Sequence, residues 1–261
     1  MSTAPADEVQ GIPAATIVIF RNGPEGGPPE LLMVTRSRAM SFAGGAAVFP
    51  GGRVDQADRD LAAALDTPLD RDEAAHRVAA IRETLEETGL VVGLRGAVDA
   101  ERARRARALL LESGELAPVL AAMDWTIDLD AVLPFARWHP KNERIPRVFD
   151  TRFYLVDLGT GAVDITVDET ENTHLFWISA ADALAAADRG DMTVIYPTRR
   201  NLERLAQFAT FAEAAEDCHR HPVRTITPFL SVEDGVRWLR IPDDAGYPVT
   251  GETLEHAMRG D

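Results

Sequence analysis

The segment that most constrains this chain is Arg82–Leu90, which reads RETLEETGL. It places Glu83, Glu86 and Glu87 at positions i, i+3 and i+4, so a helix would project all three carboxylates from one face. Clustered anions repel one another, and a hard divalent cation such as Mg²⁺ relieves that repulsion because it prefers carboxylate oxygens. Arg82 could clamp one carboxylate through its guanidinium group. The alternative interpretation is a solvated acidic helix end, which is the common explanation of a Glu-Glu pair.

The flanking residues define a helix and a loop in front of it. Asp70 and Glu73 have the spacing of a capping box, and Gly89 is typical of a left-handed helix end. The residues before this helix, Ala46–Gly52, read AAVFPGG and predict a short strand and a glycine loop that approaches another group closely. We also expect a strand at Leu90–Val92. Strand, loop, helix and strand together predict a scaffold for a metal–phosphate site.

These residues resemble the Nudix hydrolases, which cleave a diphosphate linked to another moiety. The family's signature is Gly, five residues, Glu, seven residues, then Arg-Glu-aliphatic-any-Glu-Glu-any-Gly-aliphatic. Thr84 stands where the signature has an aliphatic residue. The matching residues are Gly52, Arg82, Glu83, Glu86, Glu87, Gly89 and Leu90.

The first acid of the signature has more than one candidate, because about 16 residues are inserted in this box. Counting forward from Gly52 places it at Asp58, and counting back from Arg82 places it at Ala74, beside Asp72 and Glu73. Asp58, Asp72 and Glu73 are therefore all open. We interpret residues 59–69 as the insertion, which we expect to be exposed and which a helical turn would also fit.

A second stretch resembles the coenzyme A diphosphatase branch of the family, in its longer, peroxisomal-type members with an insertion in the box. Arg36, Ser37, Gly45 and the run Phe49–Gly52 match that branch's extra signature, whereas Ser41 stands where a second Arg is expected. The resemblance implies hydrolysis of coenzyme A or acyl-coenzyme A to (acyl)phosphopantetheine and adenosine 3′,5′-bisphosphate.

The resemblance also implies a set of site residues. Mg²⁺ or Mn²⁺ would bind Glu83, Glu86 and Glu87, with Arg82 beside them. Glu171 is a candidate further ligand or base, with Glu169 as its competitor. The candidates for substrate binding are Arg36, Ser37, Gly51, Gly52 and Arg152; for Arg152 the alternative is an outward-facing sheet residue.

Two other functions remain open. The first is a Nudix hydrolase of another nucleoside diphosphate derivative such as ADP-ribose or NADH, which Ser41 keeps under consideration. The second is a catalytically silent Nudix-fold nucleotide sensor, for which the interrupted box and Ala74 argue. The intact residues Arg82, Glu83, Glu86 and Glu87 argue against the sensor.

Charge and cysteine content limit the partners. The 261 residues carry 27 basic and 42 acidic side chains, a net charge of −15, without a basic stripe that would attract nucleic acid. We therefore expect a small nucleoside diphosphate-linked substrate, no nucleic acid and no membrane partner, and a homodimer is left open. Cys218 alone allows no internal disulfide, and the acidic start of the chain lacks the apolar core of a secretory leader. The expected location is the cytoplasm.

The predicted fold class is α/β: a Nudix α/β/α sandwich with a mixed sheet, a helical insertion and a C-terminal extension. We expect a disordered tail at 1–11 and a hydrolase domain at 12–190, with its box at 52–90 and helical insertion at about 100–124. A helix and extension packed on that domain are expected at 191–261. Within the last region, Thr198 is expected to cap one long helix that reaches about Asp217.

Overall fold

The structure, a computed structural model, describes residues 11–36, 44–140, 147–158 and 172–258. Within these residues the helices are α1 (Gln56–Ala64), α2 (Arg71–Thr88), α3 (Ala100–Ser113), α4 (Leu116–Met123), α5 (Ala180–Arg189), α6 (Tyr196–Leu205), α7 (Phe211–Arg220) and α8 (Leu254–Ala257). The strands are β1 (Ile12–Arg21), β2 (Glu30–Arg36), β3 (Ala47–Val48), β4 (Gly51–Arg53), β5 (Leu94–Arg95), β6 (Thr126–Ile127), β7 (Leu133–Trp138), β8 (Phe149–Asp157), β9 (Asn172–Ser179), β10 (Thr225–Ile226), β11 (Phe229–Glu233), β12 (Val236–Arg240) and β13 (Gly251–Thr253).

The main sheet is mixed, as the sequence predicts. Its strands follow the order β10-β7-β8-β1-β2-β3, with β4 paired to β1 and β9 paired to β2. Strand β8 runs parallel to β1 and β10 runs parallel to β7, while the remaining pairs are antiparallel. The α/β fold class is confirmed.

Strand β1 feeds two hydrophobic cores because successive side chains of a strand point to opposite faces. Ile17 and Ile19 lie in one core with helices α2, α3 and α4. Val18 and Phe20 lie in the other with α5, α6 and α7. The sheet is thus covered on both sides, which explains why its central strands are nearly continuous apolar runs.

The C-terminal region contacts the second core through two hydrogen bonds of Tyr247. The Tyr247 hydroxyl donates to Asn201 Oδ1 at 2.6 Å and accepts a hydrogen bond from Trp138 Nε1 at 3.1 Å. Ile241 and Ala257 are buried in the same cluster. Along the described ranges no helix is both long enough and apolar enough to cross a bilayer.

Three local expectations differ from the structure. Residues 59–64 belong to helix α1, whose Ala62 is buried against α2, so this part of the insertion is more than an exposed turn. The predicted strand at Leu90–Val92 is absent from the described structure. Leu90 and Val92 are buried in the first core, but they do not pair with another strand. A short apolar run predicts burial more reliably than it predicts strand pairing.

The predicted helix from Thr198 to Asp217 is two helices. Helix α6 begins at Tyr196 with a proline in its first turn, so Thr198 lies inside it. It ends at Leu205, and α7 starts anew because the Thr210 hydroxyl accepts the Glu213 N–H at 3.2 Å.

Candidate functional site

The candidate site is built on the C-terminal half of helix α2. The helix begins after Asp70, whose side chain accepts hydrogen bonds from the main-chain N–H groups of Asp72 and Glu73. It ends at Gly89, which has a φ of 75°. Both ends are therefore where the sequence predicts them. Thr84 is buried, and its hydroxyl donates to the Ala80 carbonyl at 2.7 Å, so the departure from an aliphatic residue leaves no unsatisfied group.

The glycine loop lies directly against the carboxylates of α2. The Gly51 N–H donates to Glu87 Oε2 at 3.0 Å. A Cβ atom on Gly52 would lie 2.3 Å from Glu83 Oε1, and one on Gly51 would lie 2.3 Å from the Ala15 carbonyl oxygen. Only glycine allows this approach, which is the close contact that the sequence predicts for the loop.

Arg82 is buried at the centre of the acidic residues, with 3% of its surface exposed. It donates to Asp58 through Nε at 2.9 Å and through Nη2 at 3.0 Å. Its other contacts are the Arg53 carbonyl at 3.0 Å, Glu83 at 3.0 Å, Glu86 at 3.2 Å and Asp55 at 3.8 Å. One guanidinium group thus pairs with four carboxylates and joins α1, β4 and α2.

Asp58, one of the three candidates for the first acid of the signature, lies beside Arg82. It is 1% exposed, and its Oδ2 also accepts the Asp55 N–H, which caps helix α1. Ala74 is buried in the apolar core. Asp72 and Glu73 lie ten or more residues before Glu83 on α2, about 15 Å along the helix axis.

The electrostatics of the site are those of an acidic cluster with too little positive charge. Burial raises the pKa of Glu83 to about 8; the charge of Arg82 opposes this rise, and the charges of Glu87 and Glu86 add to it. Burial lowers the pKa of Arg82, but its hydrogen bond to Asp58 and the neighbouring acids outweigh that effect and raise it above its usual value. A further cation would relieve the cluster.

The donor set of Glu83, Glu86 and Glu87 fits Mg²⁺ or Mn²⁺, because it consists of carboxylate oxygens that are partly removed from water. In the described part of the chain, no group of three His, Cys, Asp or Glu side chains is already arranged to hold a metal ion. The contacts explain this: Arg82 holds Glu83 and Glu86, while the Gly51 N–H holds Glu87.

The predicted substrate-binding residues fall in different places. The Arg36 N–H donates to the Ala46 carbonyl at 3.0 Å, which ties the end of β2 to the segment that leads into the glycine loop. Ser37 and Glu171 lie outside the described residues, as do Ser41 and Glu169.

Arg152 is not brought to the glutamate cluster. It forms ion pairs with Asp72 and with Glu73, the latter at 2.7 Å, near the N-terminal end of α2. Asp72 is also held by Arg59 at 3.1 Å and Glu73 by Arg77 at 2.8 Å. These pairs account for the burial of Arg152 without a phosphate group, and its role in substrate binding stays a prediction.

One contact at the site was missed from the sequence. Arg107 of helix α3 donates through Nε to the Glu86 carbonyl at 2.8 Å and through Nη2 to the Glu87 carbonyl at 3.4 Å. The sequence did contain a signal for this contact. Ala103 lies four residues before Arg107 and Leu110 lies three residues after it, and both are buried. This spacing places Arg107 on the side of α3 that faces the core.

Comparison with known proteins identifies the family of the chain. Residues 12–198 match the NUDIX domain family. The chain is 27% identical to the acyl-coenzyme A diphosphatase NUDT19 of Gallus gallus, over 84% of this chain and 73% of that protein. The crystal structure of a NUDIX hydrolase from Alicyclobacillus acidocaldarius superposes with a TM-score of 0.68 at 27% identity, over 79% of this chain and 96% of the other.

These matches confirm the resemblance that the carboxylate helix and the glycine loop indicated. The family match covers more than half of the chain and includes every residue of the site described above. The chain therefore belongs to the Nudix family and is a Nudix diphosphatase, a pyrophosphohydrolase that acts on acid anhydrides.

Proposed function

We propose that this Nudix hydrolase cleaves the diphosphate of coenzyme A or an acyl-coenzyme A, with Mg²⁺ or Mn²⁺ as cofactor. The products would be (acyl)phosphopantetheine and adenosine 3′,5′-bisphosphate. The observation that carries hydrolysis is the buried contact set of Arg82 with Asp58, Glu83 and Glu86, packed against Gly51 and Gly52. The choice of substrate is supported by the similarity to an acyl-coenzyme A diphosphatase.

The residues that would hold the metal are Glu83, Glu86 and Glu87. When bound, such a cation neutralises the diphosphate and lowers the pKa of a coordinated water. Arg82 orients Glu83 and Glu86, and the Gly51 N–H orients Glu87. Because Arg82 and the Gly51 N–H now hold these carboxylates, they would have to turn oxygen atoms toward a cation that binds there.

The phosphate oxygens of the substrate would meet the loop and the end of β2. The guanidinium group of Arg36 can donate two hydrogen bonds to a phosphate. Ser37, Gly51 and Gly52 would also contact the phosphate oxygens. Glu171 remains the proposed further ligand or base, and Arg152 remains a weaker candidate because Asp72 and Glu73 already hold it.

The alternatives remain distinct outcomes. A hydrolase of ADP-ribose or NADH would share the metal site and differ in the residues that contact the base and the leaving group. A catalytically silent sensor would need a disabled acidic cluster. Asp58 argues against that, because it supplies Arg82 with a buried acid despite the insertion in the box.

The first test is turnover of coenzyme A, acetyl-coenzyme A, ADP-ribose and NADH, followed by mass spectrometry with and without Mg²⁺ or Mn²⁺. Adenosine 3′,5′-bisphosphate that appears only with metal supports the proposal. Turnover of ADP-ribose or NADH alone supports the first alternative, and tight nucleotide binding without turnover supports the sensor.

The metal assignment is tested by Glu86→Gln and Glu87→Gln. Both should abolish turnover and leave the fold intact, since only a carboxylate charge is removed. Glu112→Gln is the matched control, because Glu112 is an exposed acid on α3. Undiminished activity of both site variants would contradict the assignment.

A second copy of the chain is the partner that we propose for the hairpin β11–β12. Strand β11 pairs with β12 on one side and, along the described residues, with no strand on the other. Leu230 and Val232 are 54% and 68% exposed. An antiparallel pairing of β11 with its own copy, centred on Ser231, would set Leu230 opposite Val232 of the partner subunit.

The charges of this hairpin permit such a pairing although the whole chain is strongly negative. The negative charges of Glu233 and Asp234 are balanced by the positive charges of Arg237 and Arg240, and Arg240 donates a hydrogen bond to Glu233 at 2.6 Å.

We place the enzyme in the cytoplasm, for which the single buried Cys218 is the support.

A further inference from the structure

We infer that Arg107 is a positioning residue for the acidic site: helix α3 of the helical insertion fixes the end of the helix that carries the proposed metal ligands. This inference rests on the proposed function, because it concerns the same carboxylates. Arg107 contacts the main chain of Glu86 and Glu87 and leaves their carboxylate groups to the site.

The need for such a contact follows from helix geometry. The last four carbonyl groups of an α-helix have no partner within the helix. In α2 the Leu85 carbonyl accepts the Gly89 N–H at 3.0 Å, and the carbonyls of Glu86 and Glu87 belong to the same terminal set, which needs donors from outside the helix. The two N–H groups of Arg107 meet this requirement at 2.8 and 3.4 Å.

Charge adds to the hydrogen bonds. The C-terminal end of a helix carries a partial negative charge, and a guanidinium group at that end is attracted to it. Glu86 and Glu87 lie in the last turn of α2, where a helix unwinds most readily. Without Arg107, the backbone under two of the three proposed ligands would lose two hydrogen bonds from α3.

The position of α3 is itself well determined. The Asp99 side chain caps it by accepting the Arg102 N–H at 2.8 Å. Ala106 and Leu110 are buried in the same core as Leu85. Arg107 lies one residue after Ala106, so the packing of this insertion sets where its guanidinium group reaches.

The experiment compares Arg107→Met with Arg104→Met and Arg105→Met. The control residues are exposed arginines on the same helix, so all three variants lose one positive charge. The first readout is Mn²⁺ affinity by calorimetry, below the unfolding temperature of every variant. Arg107→Met should lose about 10- to 100-fold in affinity, as is typical when a residue that orients metal ligands is removed. The controls should keep the wild-type affinity.

The second readout is hydrogen exchange of the Gly89 amide in metal-free protein. Loss of the anchor should make this amide exchange faster in Arg107→Met and leave it unchanged in the controls. Arg107→Lys should be intermediate in both readouts, because it keeps the charge but cannot span two carbonyls. If Arg107→Met fails to fold, the Mn²⁺ affinity and the Gly89 exchange of Arg107→Lys test the inference instead.

The outcomes separate this inference from the proposed function. A wild-type protein that binds no Mn²⁺ overturns the metal site. A wild-type protein that binds Mn²⁺, together with an Arg107→Met variant equal to Arg104→Met in affinity and in Gly89 exchange, overturns the role of Arg107. Reduced affinity with faster exchange in Arg107→Met alone supports it.

Discussion

Arg82 and Asp58 form a two-point ion pair across 24 residues of sequence, with Nε–Oδ1 at 2.9 Å and Nη2–Oδ2 at 3.0 Å. Both side chains are almost fully buried. The pair joins helix α1, whose residues 59–64 belong to the insertion in the box, to the helix that carries the acidic cluster. Asp58 therefore reaches Arg82 across the insertion in the box.

We predict that Asp58→Asn lowers both stability and activity. The change leaves a buried guanidinium without its carboxylate, which costs about 3 kcal/mol in the free energy of unfolding. It also removes the contact that fixes Arg82 to α1, so the position of Arg82 relative to Glu83 and Glu86 should change. Urea denaturation and metal-dependent turnover check the two effects. Asp60→Asn, an exposed acid on the same helix, should change neither, and equal behaviour of the two variants would refute the prediction.

A second prediction concerns Gly52→Ala. The new methyl group would occupy the position of the Glu83 carboxylate, since the Cβ–Oε1 distance would be 2.3 Å. The tip of Glu83 can rotate away, so stability should change little. Turnover should fall about 100-fold, the size expected for a displacement of about 1 Å at a reacting centre. Gly27→Ala is the control, because its Cβ would meet only the Pro24 carbonyl oxygen at 3.2 Å. Normal turnover of Gly52→Ala would show that the contact is unimportant.

The third prediction is a pH dependence of stability that comes from Glu203. Burial raises its pKa to about 7; Arg200 and Arg199 oppose the rise, while Glu252 and Asp188 add to it. An unfolded Glu ionises near pH 4.5, so between 4.5 and 7 the folded state binds more protons and stability falls as pH rises.

The measurement for Glu203 is urea denaturation of the wild type and Glu203→Gln at pH 5 and pH 8. The wild type should lose about 2 kcal/mol of unfolding free energy relative to the variant over this interval. Glu216→Gln, an exposed acid on α7, is the control and should parallel the wild type. Parallel curves for Glu203→Gln and the wild type would exclude the effect.

The fourth prediction tests the proposed pairing of β11. Val232→Lys places a charge opposite Leu230 of the partner subunit, and at the two-fold axis this happens twice. The variant should be monomeric by light scattering at concentrations where the wild type is a dimer. Val223→Lys changes an exposed valine outside β11 and should leave the dimer unchanged. A wild-type protein that is monomeric would contradict the proposed pairing of β11.

Helix α2 is the part of the molecule that local sequence predicted best. Its cap at Asp70, its end at Gly89 and its three glutamates follow from rules that operate within one or two helical turns. The same local rules placed the glycine loop before it. They failed at Leu90–Val92 and at the break between α6 and α7, where burial and a second cap at Thr210 decide the outcome.

Arg152 shows why a residue's type does not fix its role. A half-buried arginine on a strand suits a phosphate, but Arg152 forms ion pairs with Asp72 and Glu73 of the same fold. The sequence held all three residues without indicating that they meet, since 79 residues separate Glu73 from Arg152.

By itself, then, the sequence determined the helix with its row of carboxylates, the glycine loop and the chemistry of their oxygen atoms, because hydrogen bonding and periodicity act over a few residues. Only the tertiary structure decided which acid meets Arg82, that Gly52 touches Glu83 and that Arg107 supports the end of α2. Those contacts join segments 20 to 31 residues apart, and their geometry depends on how α1 and α3 pack against α2.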